Sequence, residues 1–290
     1  MSVRTRTASY NTRRVAKKWA LSRAIWHAAP GMRLVIIGAG RGSRLKHRTD
    51  DVPKTLVPVM GRPMLEWILE AQRAAGFEDR DVVFVCGYKA EIIQARYPRF
   101  TYVVNEEWET NNILASLMKA RAYLVGGFVS TYSDIVYTPA AARGAVETVG
   151  DKVLVCDTDW RRRYDGRTEH PETDAEKVRC EGPRVTRLSR RISPDEASGE
   201  FIGVTRFSER GAGELLEAYS RAAAAFSDDP DREYREGRSF RRAYLIDLFA
   251  EMLEAGSEFQ VSRTHGGYME LDTLQDLALA ERWWRGSRDP

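Results

Sequence analysis

At 290 residues with a formal charge of +3, the chain is long enough to bury a substantial core and needs no disulfide framework. Its three cysteines, Cys86, Cys156 and Cys180, are far apart and show no C-x-x-C spacing, so they indicate neither a disulfide scaffold nor a zinc site and suit a reducing, cytoplasmic compartment. Basic residues interleave with acids over most of the chain, which argues against nucleic acid and favours small anionic substrates, and no apolar run is long enough to span a bilayer.

Residues 1–30 form a basic extension with no acidic residue, in which Val15, Trp19 and Trp26 share a helical face, predicting an amphipathic helix over Arg13–Ala28. A helix packed on its own domain, or on a second subunit in a homodimer, is favoured over one lying on a membrane. From Met32 onward short apolar runs alternate with helical patterns, the order of an α/β domain with a mostly parallel sheet. Strands are expected at Arg33–Ile37, Asp81–Cys86, Phe100–Val104, Phe128–Ser133 and Lys152–Cys156, with crossover helices at Pro63–Ala75, Ala90–Arg96 and Asn112–Tyr123. The next stretch is polar and turn-rich, predicting two strands around Gly182-Pro183 and another at Phe201–Phe207. Helices follow at Gly213–Phe226 and Arg241–Ala255, separated by the charged loop "SDDPDREYREG". A strand pair near Phe259–Val261 and Tyr268–Leu271 then leads into a closing helix, Thr273–Trp284. Residues 31–290 thus read as one domain in three stretches, 31–157, 158–272 and a closing helix over 273–290.

The first strand opens into "IIGAGRGSRL". A dinucleotide-binding turn would enter a helix at once, yet Ser43 replaces the third glycine and about twenty residues with Pro53 and Pro58 precede the next helix. The G-K-[ST] ending of a P-loop is also missing. What remains is Gly38, Gly40 and Gly42, whose bare backbone lets N–H groups approach phosphates closely, with Arg41 and Arg44 as guanidinium donors and Lys54 as a point charge. Two acidic positions stand apart from the loop. Asp134 lies just past the carboxyl end of an apolar strand, where open α/β sheets bind ligands, although a turn or cap role is an equal reading. Glu270 and Asp272 alternate along a strand and so share a face, while Asp272 could instead cap the helix that follows.

"IIGAGRGSRL" followed by "VPKTLVPVMGRPML" resembles the signature of nucleotidyltransferases that join a nucleoside triphosphate to a phosphorylated sugar, alcohol or phosphonate. The resemblance implies a three-layer α/β/α Rossmann-like fold with a central, mostly parallel mixed sheet, a nucleotide-binding half over 31–157 and a smaller β-rich acceptor-binding part over 158–272. It implies that Ile37, Gly38, Ala39, Gly40, Arg41, Gly42, Ser43 and Arg44 surround the triphosphate, that Lys54 meets the reacting phosphates, and that Asp134 and Asp272 hold Mg2+. "ETNNILASL" looks like the N-N-x-x-S-L element of phosphocholine cytidylyltransferases. That places Asn112 and Ser116 with the nucleotide and Asn111 with the acceptor, and it favours CTP. The base is expected between the glycine loop and Gly87-Tyr88. Acceptor contacts are expected from Trp160, Lys177, Glu200, Gly203 and Glu270, and a quaternary ammonium would call for an aromatic box from Trp108, Tyr132, Trp160 and Tyr164. The implied partners are thus an NTP and a phosphate- or phosphonate-bearing small molecule. Sugar-1-phosphate nucleotidyl transfer with UTP, dTTP or GTP is the alternative, and a non-catalytic nucleotide-binding regulatory subunit of the same fold is the alternative of another class.

Overall fold

The computed structural model describes residues 31–286. The expected helix over Arg13–Ala28 therefore lies outside the described residues. The chain first builds a parallel layer from β1 (Arg33–Ile37), β2 (Val82–Cys86), β3 (Thr101–Val104) and β4 (Phe128–Tyr132), in the order β3-β2-β1-β4. All five residues of β2 and four of β1 are buried, as expected of strands covered on both faces. The alternation of the strand divides β1 between two cores. Leu34 and Ile36 meet α1 (Met64–Arg73) and α4 (Pro139–Glu147), whereas Val35 and Ile37 face the core shared by α3 (Ile113–Lys119), α5 (Glu209–Ala225) and α6 (Leu245–Glu254). Helix α2 (Ala90–Arg96) adds Ile93 to the first of these cores.

Beyond β4 the sheet becomes mixed. The long strand β9 (Gly199–Phe207) inserts antiparallel between β4 and β6 (Lys152–Asp157), and β10 (Gln260–Thr264) continues parallel to β6. The antiparallel strands β7 (Lys177–Glu181) and β8 (Arg184–Leu188) finish this nine-stranded sheet, and β7 curls back to pair with the start of β9. Gly203 sits in an irregularity of β9 with φ +78°, and a Cβ there would lie 2.5 Å from the Tyr132 ring. Gly203→Ala is therefore expected to destabilise the fold by about 1–3 kcal/mol through overpacking and backbone strain. Urea unfolding would show it, and an unchanged midpoint would refute the packing described.

Two expectations need correction. The strands near Phe259–Val261 and Tyr268–Leu271 do not pair with each other. The turn at Gly266-Gly267, both with positive φ, ends β10 in the large sheet and sends β11 (Tyr268–Glu270) onto β5 (Ile135–Tyr137) as a separate antiparallel ribbon. The charged segment 227–237 is likewise not a bare loop. It contributes to a small hairpin, Glu233–Arg235 with Arg238–Ser239, held by aromatic packing of Tyr234 between Phe226 and Phe240 and by the Arg238–Asp247 ion pair at 2.5 Å. The closing helix α7 (Leu274–Gly286) packs Ala280 and Trp284 against Met64 and Trp67 of α1.

Candidate active site

The site begins where β1 ends. The Gly38 amide donates to the Val85 carbonyl at 2.9 Å, and a Cβ on Gly38 would lie 2.6 Å from the Ser133 hydroxyl. The Tyr88 amide donates to the Ala39 carbonyl at 2.8 Å, fastening the loop after β2 to the glycine loop. Gly40 is open, with nothing within 4 Å of the point a Cβ would occupy, while Gly42 adopts φ +70° and lies so close to the Lys54 stem that a Cβ would be 2.5 Å from its Cδ. Two short 3-10 segments, Ser43–Thr49 and Lys54–Leu56, occupy the long connection before α1, so Lys54 returns beneath the loop that contains Gly42.

The ribbon of β5 and β11 supplies the acids. Pairing of Ile135 with Glu270, continued by the Leu271 amide donating to the Asp134 carbonyl at 2.9 Å, sets Asp134 and Asp272 side by side. The buried Lys54 ammonium donates to Asp134 Oδ2 at 2.7 Å and to Asp272 Oδ1, and Arg44 pairs with the other oxygen of Asp272. Burial works against the charge on Lys54, but Asp134 and Asp272 outweigh it and raise its pKa. Burial likewise pushes the Asp272 carboxyl up, while Lys54 and Arg44 bring it below its ordinary value. At Glu270 the balance falls the other way: burial, then the charges of Asp272 and Asp134, outweigh the pull of Lys54 and hold its carboxyl well above the usual range, favouring the protonated form.

Asp272 does not cap α7. That task falls to Thr273 and Asp276, which form a reciprocal capping box: Asp276 accepts from the Thr273 amide at 2.8 Å, and the Asp276 amide donates to the Thr273 hydroxyl at 3.2 Å. The Asp272 carboxylate is thereby left to face Lys54 and Arg44.

Arg44, Asp134, Glu270 and Asp272 line a cavity of about 360 Å³ whose remaining wall includes Asn112, Tyr132, His170, Glu176, Glu200, Phe201, Tyr244 and Tyr268. Several expected ligand contacts lie elsewhere. Trp160 and Lys177 are buried behind this wall, where the Lys177 ammonium donates to the Arg190 carbonyl at 2.7 Å and sits 5.9 Å from the Trp160 ring. Gly203 lies beneath Tyr132. Asn111 and Ser116 turn inward to the buried Asn105, whose amide donates to Asn111 Oδ1 at 2.8 Å and to Ser116 Oγ at 2.9 Å. Their polar atoms brace the turn into α3, and Asn112, which caps α3 through the Ile113 amide at 2.9 Å, is the asparagine that reaches the cavity. The Tyr88 hydroxyl donates to the Thr49 carbonyl at 3.0 Å and its ring lies 5.6 Å from the Arg41 guanidinium, so it braces the loop; Arg41 itself pairs with Asp50 at 2.8 Å. Of the four aromatics expected to form a box, Tyr132 alone lines the cavity: Tyr164 reaches it through Glu200, by a hydrogen bond of 2.6 Å, and Trp108 packs on Gly87.

His170 is the main residue that the sequence pattern did not single out. It is buried, with Nε2 3.4 Å from Glu270 Oε2 and Nδ1 3.8 Å from Asp272 Oδ2, and it contacts the Arg167 guanidinium at 2.6 Å. His170, Glu270 and Asp272 lie close enough together to offer ligands to one cation. Asp134 and Asp272 present hard carboxylate oxygens to the same cavity, and the second oxygen of Asp134 has no hydrogen-bond partner among the described residues. Hard oxygen donors few in number, facing a space that can admit phosphate and water, fit Mg2+.

A Rossmann-like mixed sheet whose first strand opens into a glycine loop, with basic side chains beneath it and acids brought in by a separate ribbon, defines the nucleotidyltransferase class. Residues 34–244 match the MobA-like NTP transferase domain, and the chain belongs to that family. It is 22% identical over 258 residues to the CTP:phosphoglutamine cytidylyltransferase of Campylobacter jejuni, spanning 86% of this chain and 98% of that protein. It is 29% identical over 256 residues to the bifunctional IPC transferase and DIPP synthase of Rubrobacter xylanophilus, spanning 87% of this chain and 51% of that longer protein. The structure of the CTP:phosphocholine cytidylyltransferase from Streptococcus pneumoniae aligns with a TM-score of 0.63 at 17% identity, over 87% of this chain and 98% of the other. The inositol-1-phosphate CTP transferase from T. maritima aligns with a TM-score of 0.63 at 20% identity, over 85% and 91%. These two structures share the fold. Among the described residues no helix is long and apolar enough to cross a membrane.

Proposed function

We propose that the protein transfers a cytidylyl group from CTP to the phosphate or phosphonate oxygen of a small acceptor and releases pyrophosphate. The observation that carries this reading is the convergence of Lys54 with Asp134 and Asp272 beneath the glycine loop, at the wall of a cavity large enough for the acceptor. Preference for CTP rests on the relatives, whose names include cytidylyltransferases acting on phosphoglutamine and phosphocholine. The backbone around the open Gly40 and the Arg44 guanidinium receive the triphosphate, and Lys54 neutralises charge that builds between the α-phosphate and the departing pyrophosphate. Asp134 and Asp272 would hold Mg2+, which supplies further neutralisation of phosphate charge and helps orient the triphosphate. The acceptor oxygen forms the new bond to the α-phosphorus as the bond to pyrophosphate breaks. A phosphomonoester has its second pKa at about 6 and so arrives mostly dianionic, needing no general base.

Pyrophosphate release from CTP, UTP, dTTP, GTP and ATP, measured against phosphorylated alcohols, polyols, phosphonates and sugar-1-phosphates, tests the reading. Release with CTP and one acceptor class is the expected result, and preference for another triphosphate would overturn the assignment of the base. Removal of divalent cations with EDTA is expected to abolish release and excess Mg2+ to restore it; turnover that survives chelation would refute a metal at Asp134 and Asp272. Gly42→Ala, which drives a Cβ into the Lys54 stem, is expected to lower turnover by about 10²-fold through misplacement of the ammonium. Gly40→Ala, with open space at that position, should unfold at the same temperature as the parent.

A further inference from the structure

The acids assigned to the metal are held by the chain's own cations. Lys54 Nζ donates to Asp134 Oδ2 at 2.7 Å and to Asp272 Oδ1, and Arg44 pairs with Asp272 Oδ2, so three of the four carboxylate oxygens already accept from an ammonium or a guanidinium. The two acids and two bases together carry no net charge. The Lys54 and Asp272 side chains are only 8% and 6% exposed, so solvent ions screen their attraction little. The lysine stem is also confined: its Cβ, Cγ and Cδ pack against Gly42 in the loop that faces the triphosphate, which leaves the ammonium to turn about its last bonds. Arg44, with its side chain 54% exposed, is freer to swing.

Given the transfer reaction proposed above, we infer that Lys54 and Arg44 act as a latch on the metal site: they close Asp134 and Asp272 to a free divalent cation, and a triphosphate opens the site by drawing them to its own oxygens. A dication placed on these carboxylates by itself stands beside two positive groups that hold the same oxygens, where burial strengthens the repulsion. A triphosphate by itself meets the opposite difficulty. Once it takes Lys54 and Arg44, it leaves Asp134 and Asp272 without counter-charge beside still more negative charge. Together the two ligands exchange all partners, the phosphates receiving the ammonium and guanidinium while the carboxylates receive the dication. Each ligand therefore raises the affinity for the other, and by the same factor.

The test reads metal binding and not turnover. Mg2+ alone is titrated calorimetrically into the full-length parent, Lys54→Met and Arg44→Gln. Removal of a basic residue is expected to tighten binding, by about tenfold or more in Lys54→Met and by a smaller factor in Arg44→Gln, whose half-exposed side chain makes it the variant to rely on where Lys54→Met fails to fold. Thermal unfolding gives a second reading with α,β-methylene-CTP, in which a carbon bridge keeps pyrophosphate from leaving. In the parent, Mg2+ and the analogue together should raise the unfolding temperature by more than the sum of their separate effects, and in Lys54→Met that excess should shrink while Mg2+ alone becomes stabilising. Mg2+ that binds the parent as tightly as both variants overturns the latch and leaves the transfer reaction standing. Mg2+ that binds none of the three proteins, with or without the analogue, overturns the latch together with the metal assignment. Tighter Mg2+ binding in the variants, alongside no pyrophosphate release from the parent with any triphosphate and acceptor, upholds the competition for the carboxylates and overturns the transfer reading.

Discussion

Lys54→Met is expected to lower pyrophosphate release by about 10²–10³-fold, the usual consequence of removing one preorganised electrostatic group from a reacting centre. Methionine keeps an unbranched apolar stem to pack under Gly42, so the loss isolates the ammonium. The same variant makes a second, independent prediction about stability. Lys54 lies buried between Asp134 and Asp272, and its removal leaves two carboxylates side by side with Arg44 as the remaining cation on Asp272. Breaking a buried ion pair by deleting one partner costs about 3–5 kcal/mol, so unfolding in EDTA should occur at clearly lower urea. If Asp134 and Asp272 bind Mg2+, adding the ion should recover part of that loss, because a ligand that binds only the folded state stabilises it. Near-normal turnover would remove Lys54 from the reaction. A variant as stable as the parent in EDTA would contradict the arrangement of the three charges.

The parts of this site that repeat a local rule were legible in the sequence. The run Arg33–Ile37 followed by three spaced glycines specifies a buried strand and an open backbone turn, and Lys54 follows at a distance that excludes an immediate helix. Asp134 was legible as a residue at the carboxyl end of β4, because the end of a strand in such a sheet is a position and not a contact. What the sequence withheld depends on long-range pairing. Glu270 and Asp272 were expected on a strand paired with the one at Phe259–Val261; their true partner, β5, lies more than a hundred residues earlier, and that pairing is what joins Asp272 to Asp134. His170 and Glu176 come from a stretch with no apolar period, so nothing local distinguishes them from a solvated loop. Trp160 and Lys177 show the converse failure. They have the composition of a ligand site, yet in the fold their side chains serve one another and the backbone near Arg190. Asn111 and Ser116 fail in the same way, since the motif that contains them is satisfied by Asn105 from the preceding strand end.

Asp276→Ala is expected to destabilise the fold by about 3–5 kcal/mol although the residue touches no substrate. Asp276 Oδ1 accepts from Arg167 Nε at 2.9 Å with both side chains almost wholly buried, and Oδ2 accepts from the amides of Asp272 and Thr273 at 3.0 and 2.8 Å. The substitution strands the Arg167 charge, removes the side-chain half of the α7 capping box and frees the backbone that presents Asp272. Arg167 also donates to the Glu270 carbonyl at 3.2 Å, so the pair ties the segment around His170 to the end of the β11 ribbon. The penalty should therefore shrink in the double variant Arg167→Met with Asp276→Ala, in which no charge is left unpaired, by the non-additivity expected of residues in contact. Burial pushes the Asp276 carboxyl up, but His170, Arg167 and the Thr273 amide outweigh it and hold it below the ordinary carboxylate range. A carboxyl held lower in the folded state stabilises fully above its unfolded value of about 4 and loses that contribution as the pH falls towards the depressed folded value. The difference in unfolding free energy between the parent and Asp276→Ala should thus be constant from pH 7 down to about 5 and narrow below about 4. A difference that stayed flat into acid would show that the ion pair is not what holds this end of the site, and that packing of α7 alone presents Asp272.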